Sequence, residues 1–226
     1  MLSLHGGGIF LRRSWRSQAE VINDISTDVT TLFRVLQRHY VPFMDMLRWQ
    51  ITSRTEFERL RAANPETLTD LERAARFLYL QRTSFGGKVA HRHFGVSPGT
   101  PARFDITKLG NLLEAAHERL AGVVIERLPY AELLPRYDRP GTLFYLDPPY
   151  WGCEEDYGAG IFAPEDFARL AGLLAALKGP FLLSLNDHPG VRATFAGFTM
   201  EEITTTYSIG SRSRSGVGEL LITNRP

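Results

Sequence analysis

The chain has 226 residues, 43% of them hydrophobic, which is enough for one full-sized domain or for one domain with a substantial insertion. The 26 basic and 25 acidic residues give a formal net charge of +1, so nucleic-acid binding would need a local cluster of cations. A single cysteine, Cys153, excludes an internal disulfide and a cysteine-based zinc site, and it fits a reducing cytoplasm.

The N-terminus predicts a short strand followed by glycines. Residues 1–4 form a strand stub, and Gly6, Gly7 and Gly8 follow where the first strand of an α/β sheet turns into its first helix. Glycines there let the backbone approach a ligand closely, although three glycines near a terminus are more often a flexible start. Their spacing is not Gly-x-Gly-x-x-Gly, which disfavours a nicotinamide site. The segment lacks the features of a signal peptide, and no run approaches the roughly 18 apolar residues of a membrane span, so we expect a cytoplasmic protein without membrane contact.

The remaining elements are predicted from hydrophobic periodicity. Residues 19–24 predict a strand, 26–49 one amphipathic helix, and 55–63 and 67–82 two more helices, the last capped by Thr67 with Asp70. An irregular basic stretch at 83–104 precedes helix 108–120, strand 122–127, helix 130–137, strand 141–146, helix 164–178, strand 180–186, helix 189–195, and strands 198–206 and 217–224.

This alternation predicts an α/β fold with a doubly wound, mostly parallel sheet. The last two predicted strands are joined by a short Gly/Ser/Arg segment, so we expect a hairpin with an antiparallel final strand. We interpret residues 1–226 as a single domain. Within it, residues 26–120 form a largely helical insertion between the second and third strands.

Asp24 lies at the carboxyl end of the second predicted strand. An acid at this position of an open α/β sheet accepts two hydrogen bonds from a ribose diol, as in many nucleoside-cofactor sites. The alternative is an acid at a helix N-terminus, favoured by the helix dipole. Position alone leaves both interpretations open.

The strand at 141–146 ends in Asp147, Pro148, Pro149 and Tyr150. Neither proline can donate to a sheet ladder, and the first forces Asp147 into an extended conformation. The sequence therefore predicts a stiff loop at the carboxyl end of a central strand, where open α/β sheets place their ligands. A proline-rich turn with an N-terminal acid is the alternative.

The chemistry of this loop suits a flat substrate with an exocyclic amino group. Such an amine is a poor nucleophile because its lone pair is delocalised into the ring. A carboxylate and a backbone carbonyl can accept hydrogen bonds from the amino group. These hydrogen bonds favour a more tetrahedral nitrogen and stabilise the positive charge that develops on it in the transition state. Tyr150 would stack on the ring, and because stacking needs only the ring face, Tyr150→Phe should keep much of the activity. We see no cluster of metal ligands, and we expect no metal.

The chain resembles the Dam-like, alpha-class adenine-N6 DNA methyltransferases of phages and restriction-modification systems. Residues 136–150 carry the resemblance most strongly, and supporting segments lie at 6–8, 21–25, 77–88, 183–188, 206–209 and 219–224. The resemblance implies S-adenosylmethionine as methyl donor, a flipped-out adenine in double-stranded DNA as acceptor, and residues 26–120 as the DNA-recognition part. It also implies that Gly6, Gly7, Gly8 and Asp147 border the cofactor, that Asp24 holds its ribose, and that Asp147, Pro148, Pro149 and Tyr150 form the catalytic loop.

Two features depart from the family pattern. Members usually carry some tens of residues before the glycines, including a Gly-Gly-Lys cofactor motif and a full first strand. Here Met1 lies almost at the glycines, so we expect weak S-adenosylmethionine binding by the chain as it stands. Members also often have an acid after the third strand. This chain has Pro129 and Tyr130 there, and we expect Tyr130 to stack on the cofactor instead.

Six cations lie on or directly beside two irregular segments: Arg82, Lys88, Arg92, Arg103, Arg212 and Arg214. Scattered loop cations are more often a solvated surface, but beside the ligand edge of such a sheet we interpret them as phosphate contacts.

Two rival functions remain. One is a catalytically impaired remnant that binds DNA, and the other is an S-adenosylmethionine-dependent methyltransferase of RNA or protein. Enzymes of the second kind commonly carry Asn in the loop that corresponds to the one with Asp147.

Overall fold

The computed structural model describes residues 7–84, 93–95, 99, 101–154, 160–205 and 217–225. The chain divides into two compact units, Met1–Leu128 and Pro129–Pro226. Helices and strands occur in both, so the mixed α/β class is confirmed. Within the described ranges, no helix has both the length and the apolar character needed to cross a membrane.

The first unit is mainly helical. Its elements are α1 (Gly7–Arg12), β1 (Val21–Asn23), α2 (Thr27–Arg38), α3 (Tyr40–Arg48), α4 (Arg54–Ala62), a 3₁₀ turn (Pro65–Thr67), α5 (Asp70–Thr83), α6 (Ile106–Leu120) and β2 (Val124–Glu126). Strands β1 and β2 pair in parallel, with Ile22 opposite Ile125. Helices α2 to α6 lie between them in sequence, and their buried faces form one apolar core that includes Leu32, Phe43, Phe57 and Leu78. The helical character predicted for residues 26–120 is thus present in the described part of that segment.

The single helix predicted over residues 26–49 is wrong, because the chain breaks at His39 into α2 and α3. His39 has φ −127° and ψ 34°, outside the helical region. The break follows from Pro42, which in a continuous helix would lose a hydrogen bond and clash with the carbonyl of Arg38. Starting α3 at Tyr40 places Pro42 in the first turn, where no backbone N–H is needed.

The cap predicted for the following helix is also placed wrongly. Helix α5 begins after Thr69, whose hydroxyl accepts from the Glu72 N–H, while the Glu72 carboxylate accepts from the Thr69 N–H at 2.9 Å. This reciprocal pair satisfies two orphan donors of the first turn. Thr67, the predicted cap, instead ends the 3₁₀ turn.

The second unit is a sheet flanked by short helices. Its elements are α7 (Tyr130–Tyr137), β3 (Phe144–Leu146), α8 (Pro164–Ala175), β4 (Phe181–Asn186), α9 (Pro189–Thr194), β5 (Thr199–Thr205) and β6 (Val217–Thr223). The strand order is β3-β4-β6-β5. Strands β3 and β4 are parallel, whereas β6 is antiparallel to both β4 and β5. The antiparallel final strand is therefore confirmed.

The described strands form a two-stranded and a four-stranded sheet, with two parallel and two antiparallel pairings. They are therefore not mostly parallel, as the sequence predicted. The predicted stub at 1–4, which would add a strand, lies outside the described residues. In the four-stranded sheet, the side chains of Phe181, Leu183 and Leu185 are buried and join Phe167 and Phe195 in a second apolar core. This core supports β3 and the loop that follows it.

Candidate functional site

The loop that follows β3 holds Asp147, Pro148, Pro149 and Tyr150, all half-buried. The predicted position at the carboxyl end of a strand is thus confirmed, but in the four-stranded sheet of the described residues β3 is an edge strand and not a central one. A tight turn closes the loop, since the Cys153 N–H donates to the Tyr150 carbonyl at 2.9 Å and Gly152 has φ +84°. That left-handed conformation favours glycine. Cys153 itself is exposed.

Asn186, the last residue of β4, binds the loop backbone at two points. Its side-chain oxygen accepts from the Trp151 N–H at 2.9 Å, and its side-chain NH₂ donates to the Trp151 carbonyl at 3.2 Å. The Asn186 side chain thus satisfies both backbone groups of Trp151, a residue that lies outside the strands. The loop is therefore fixed to the neighbouring strand just after Tyr150.

Glu219, on β6, binds the side chain of Tyr150. The Tyr150 hydroxyl donates to its carboxylate, and Glu219 is only 8% exposed. A buried carboxylate is costly unless it is hydrogen-bonded, so this donor contributes to keeping Glu219 in place. The tyrosine ring is held at its far end as well as at its backbone.

Trp151 anchors the loop to the apolar core of the second unit. Its indole stacks on Phe167, with centroids 4.7 Å apart, and on His188, at 5.5 Å. Gly190 makes this possible, because a Cβ at that position would lie 2.4 Å from the indole Cζ2. Trp151 is therefore a packing residue.

Asp24 follows β1 directly in the first unit, half-buried. Its Oδ1 accepts from the Ser26 N–H at 2.8 Å, and among the described residues Oδ2 accepts no hydrogen bond. Burial raises the pKa of the Asp24 carboxyl from 3.8 to about 6, an effect that the Ser26 N–H opposes. Helix α2 is capped by the Ser26 hydroxyl and not by Asp24, which weakens the interpretation of Asp24 as a simple helix-terminus acid.

Three more residues of the predicted cofactor site, Gly7, Gly8 and Tyr130, lie at the starts of helices α1 and α7. Gly7 and Gly8 form the start of α1, a Cβ at Gly8 would meet nothing within 4 Å, and Gly6 lies outside the described residues. Tyr130 begins α7, and its hydroxyl donates to Asp166 Oδ1 at 2.6 Å. Burial, and then this hydrogen bond, raise the pKa of the Tyr130 hydroxyl. Its stacking on a cofactor stays a prediction.

Of the predicted phosphate-binding cations, only Arg82 and Arg103 are described; Lys88, Arg92, Arg212 and Arg214 are outside. Arg82 is half-buried at the end of α5, where burial, and then the charge of Arg103, lower the pKa of its guanidinium. Arg103 is exposed, and its guanidinium donates to the Ser84 carbonyl at 3.4 Å. Arg103 is thus the more accessible of the two.

Sequence reasoning gave no role to Asn186 or Glu219, although both lie in segments that carry the family resemblance. The available signal was a charged residue, Glu219, inside the apolar run of β6. A buried acid in a strand needs a partner, and that requirement could have identified it. Within the ranges that the structure describes, no group of three or more His, Cys, Asp or Glu side chains could hold a metal ion.

Comparison with known proteins identifies the family of this chain. Residues 5–209 match the family model of D12 class N6 adenine-specific DNA methyltransferases. The chain is 22% identical over 206 residues to the type II methyltransferase M.CviBI of Paramecium bursaria Chlorella virus NC1A, covering 89% of this chain and 78% of the relative. It is 26% identical over 241 residues to the type II methyltransferase M1.LlaDCHI of Lactococcus lactis subsp. cremoris, covering 97% and 83%. The chain therefore belongs to the D12 class of N6 adenine-specific DNA methyltransferases, enzymes that methylate the N6 amino group of adenine in DNA.

Proposed function

We propose that this enzyme takes its methyl group from S-adenosylmethionine and transfers it to an adenine turned out of double-stranded DNA. The observation that carries the proposal is the clamped loop after β3, which presents a carboxylate and an aromatic ring from a fixed backbone. Fixed acceptors and a fixed ring face are what an unreactive aromatic amine needs in order to be oriented. We further propose residues 26–120 as the DNA-recognition part.

In the proposed reaction, Asp147 binds the N6 amino group of the adenine. Its carboxylate accepts a hydrogen bond from one N6–H group, and a backbone carbonyl of the proline pair accepts a hydrogen bond from the other. The nitrogen lone pair is then directed away from the adenine ring, and the positive charge that develops on nitrogen is stabilised. Tyr150 stacks on the adenine and replaces part of the stacking that the base loses on leaving the duplex.

Asp24 fits the donor's nucleoside part. S-adenosylmethionine, when bound, supplies a methyl group on a positively charged sulfur. Asp24 offers a half-buried carboxylate with one oxygen held by the Ser26 N–H and the other without a donor among the described residues. Ribose hydroxyls are suitable donors for that oxygen.

Cofactor affinity should depend on the ionisation of Asp24. With a pKa of about 6, its carboxyl is largely protonated at pH 5 and ionised at pH 7. The ionised form is the better acceptor for ribose hydroxyls, so S-adenosylmethionine affinity should fall by about tenfold from pH 7 to pH 5. Calorimetric titration at the two pH values measures this. Asp24→Asn should bind more weakly with little change over that range, and an equal pH dependence in both proteins would contradict the assignment.

The proposed phosphate contacts predict a change in salt dependence. Changing Lys88, Arg92, Arg212 or Arg214 singly to Ala should weaken binding to all duplexes about equally and reduce the slope of log affinity against log salt by about one. Arg169→Ala is the control, because Arg169 is exposed on α8, outside both basic segments. Fluorescence-anisotropy titrations over a range of salt concentrations measure the slope. Unchanged slopes in all four variants would remove these residues from the DNA interface.

The donor and acceptor are tested by transfer of label from methyl-tritiated S-adenosylmethionine. Duplex DNA, RNA and a protein mixture are offered separately, and the proposal expects label in duplex DNA alone. Label in RNA or protein would establish the rival methyltransferase activity. DNA binding without any transfer would instead identify a catalytically impaired remnant.

A further inference from the structure

We propose that Glu219 is a positioning residue for the methyl-transfer reaction, which it serves by fixing the far end of the Tyr150 side chain and so the direction in which its ring extends. Together with Asn186 it forms a two-point clamp on the loop after β3. This inference rests on the proposed function of Tyr150 as the ring that stacks on the target adenine.

The clamp is a consequence of strand register. Asn186 on β4 and Glu219 on β6 are direct partners in the antiparallel pairing. Side chains of such partners lie about 4.5–5.5 Å apart at Cβ when they share a face. The two residues bind consecutive positions of the same loop, Asn186 the backbone of Trp151 and Glu219 the hydroxyl of Tyr150. One strand pair thus sets both the path of the loop and the direction of the tyrosine ring.

Burial makes the Glu219 contact rigid. Glu219 is 8% exposed, and its neighbour Leu220 is fully buried in the apolar core of the second unit. The backbone that carries this carboxylate is held by β6, which is paired on both sides, to β4 and to β5. A ring tethered at its hydroxyl cannot swing about the Cα–Cβ bond without breaking that hydrogen bond, so it is positioned for a base before the base arrives.

The clamp and simple stacking predict different results for Tyr150→Phe. Stacking alone needs the ring face, and the phenylalanine variant should then keep much of its activity. The clamp predicts a loss, because phenylalanine cannot donate to Glu219 and the ring is no longer fixed at its far end. Small displacements of a reacting group can cost as much as about a hundredfold in rate.

The test compares Glu219→Gln, Glu219→Leu, Tyr150→Phe and the double variant Tyr150→Phe/Glu219→Leu, with kcat and KM for DNA measured separately. The glutamine oxygen still accepts from the tyrosine hydroxyl, so Glu219→Gln should keep kcat within about threefold. Glu219→Leu and Tyr150→Phe should each lower kcat by roughly tenfold or more, with KM within about twofold. The double variant should be no slower than the slower single variant, because both remove the same interaction. Glu201→Leu is the matched control, since Glu201 is an exposed acid on β5 of the same sheet.

Several outcomes overturn the inference. These are a kcat of Glu219→Leu equal to that of Glu201→Leu, a Glu219→Gln variant as slow as Glu219→Leu, or multiplicative losses in the double variant. If Glu219→Leu does not fold, Tyr150→Phe decides alone, and a wild-type kcat rejects the clamp. A wild-type enzyme that does not methylate adenine rejects the proposed function and this inference together, whereas an active wild type with unaffected variants rejects the clamp alone.

Discussion

Replacing Asp147 with Ala should reduce methyl transfer by on the order of a thousandfold while leaving DNA affinity nearly unchanged. The carboxylate is assigned to the N6 amino group, where it acts most strongly as positive charge develops in the transition state. Removing one such preorganised group typically costs about a hundredfold to a thousandfold in kcat. The proposed phosphate contacts are made by other residues, so binding should survive.

The experiment measures single-turnover methyl transfer and DNA affinity in parallel. Glu201→Ala is the matched control, since Glu201 is an exposed acid on β5, outside the proposed DNA-recognition part. It should behave as wild type in both assays. An Asp147→Ala enzyme that keeps most of its turnover would show that the amino group is oriented by something else.

Replacing Tyr150 with Ala should have the second-largest effect. The change removes the ring that stacks on the adenine and also the hydroxyl that donates to Glu219. Base–aromatic stacking is worth about 1–3 kcal/mol, and the loss of a fixed loop adds to it, so kcat/KM should fall by roughly a hundredfold. Tyr150→Phe keeps the ring face and should show only the loss that the missing hydrogen bond to Glu219 causes. Steady-state kinetics on duplex DNA compare the two variants, and equal losses would mean that the ring face contributes little.

The secondary structure was largely predictable because its signals are local. Apolar periodicity located α7 at residues 130–137 and placed β3 directly before Asp147. The break at His39 was also encoded locally, by Pro42, but the regular apolar spacing on both sides hid it. The cap of α5 shifted by two residues because Thr67 and Thr69 both precede an acid by three positions, and only the 3₁₀ turn distinguishes them.

The site was predictable where one segment carries it and not where strands bring distant residues together. Asp147 and Tyr150 lie in a single motif whose prolines define its shape. Glu219 is 69 residues from Tyr150, and their contact depends on the register of β4 and β6, which no local pattern fixes. The raised pKa of Asp24 likewise comes from desolvation, which is a property of the folded unit.

The most direct test of the catalytic assignment is the identity of the methylated nucleoside. Duplex DNA is incubated with S-adenosylmethionine and either wild-type enzyme or Asp147→Ala, then digested to nucleosides and analysed by mass spectrometry. We expect N6-methyldeoxyadenosine from the wild type and only a trace of it from the variant. Methylation of the N4 amino group of cytosine, or equal amounts of N6-methyldeoxyadenosine from both proteins, would contradict it.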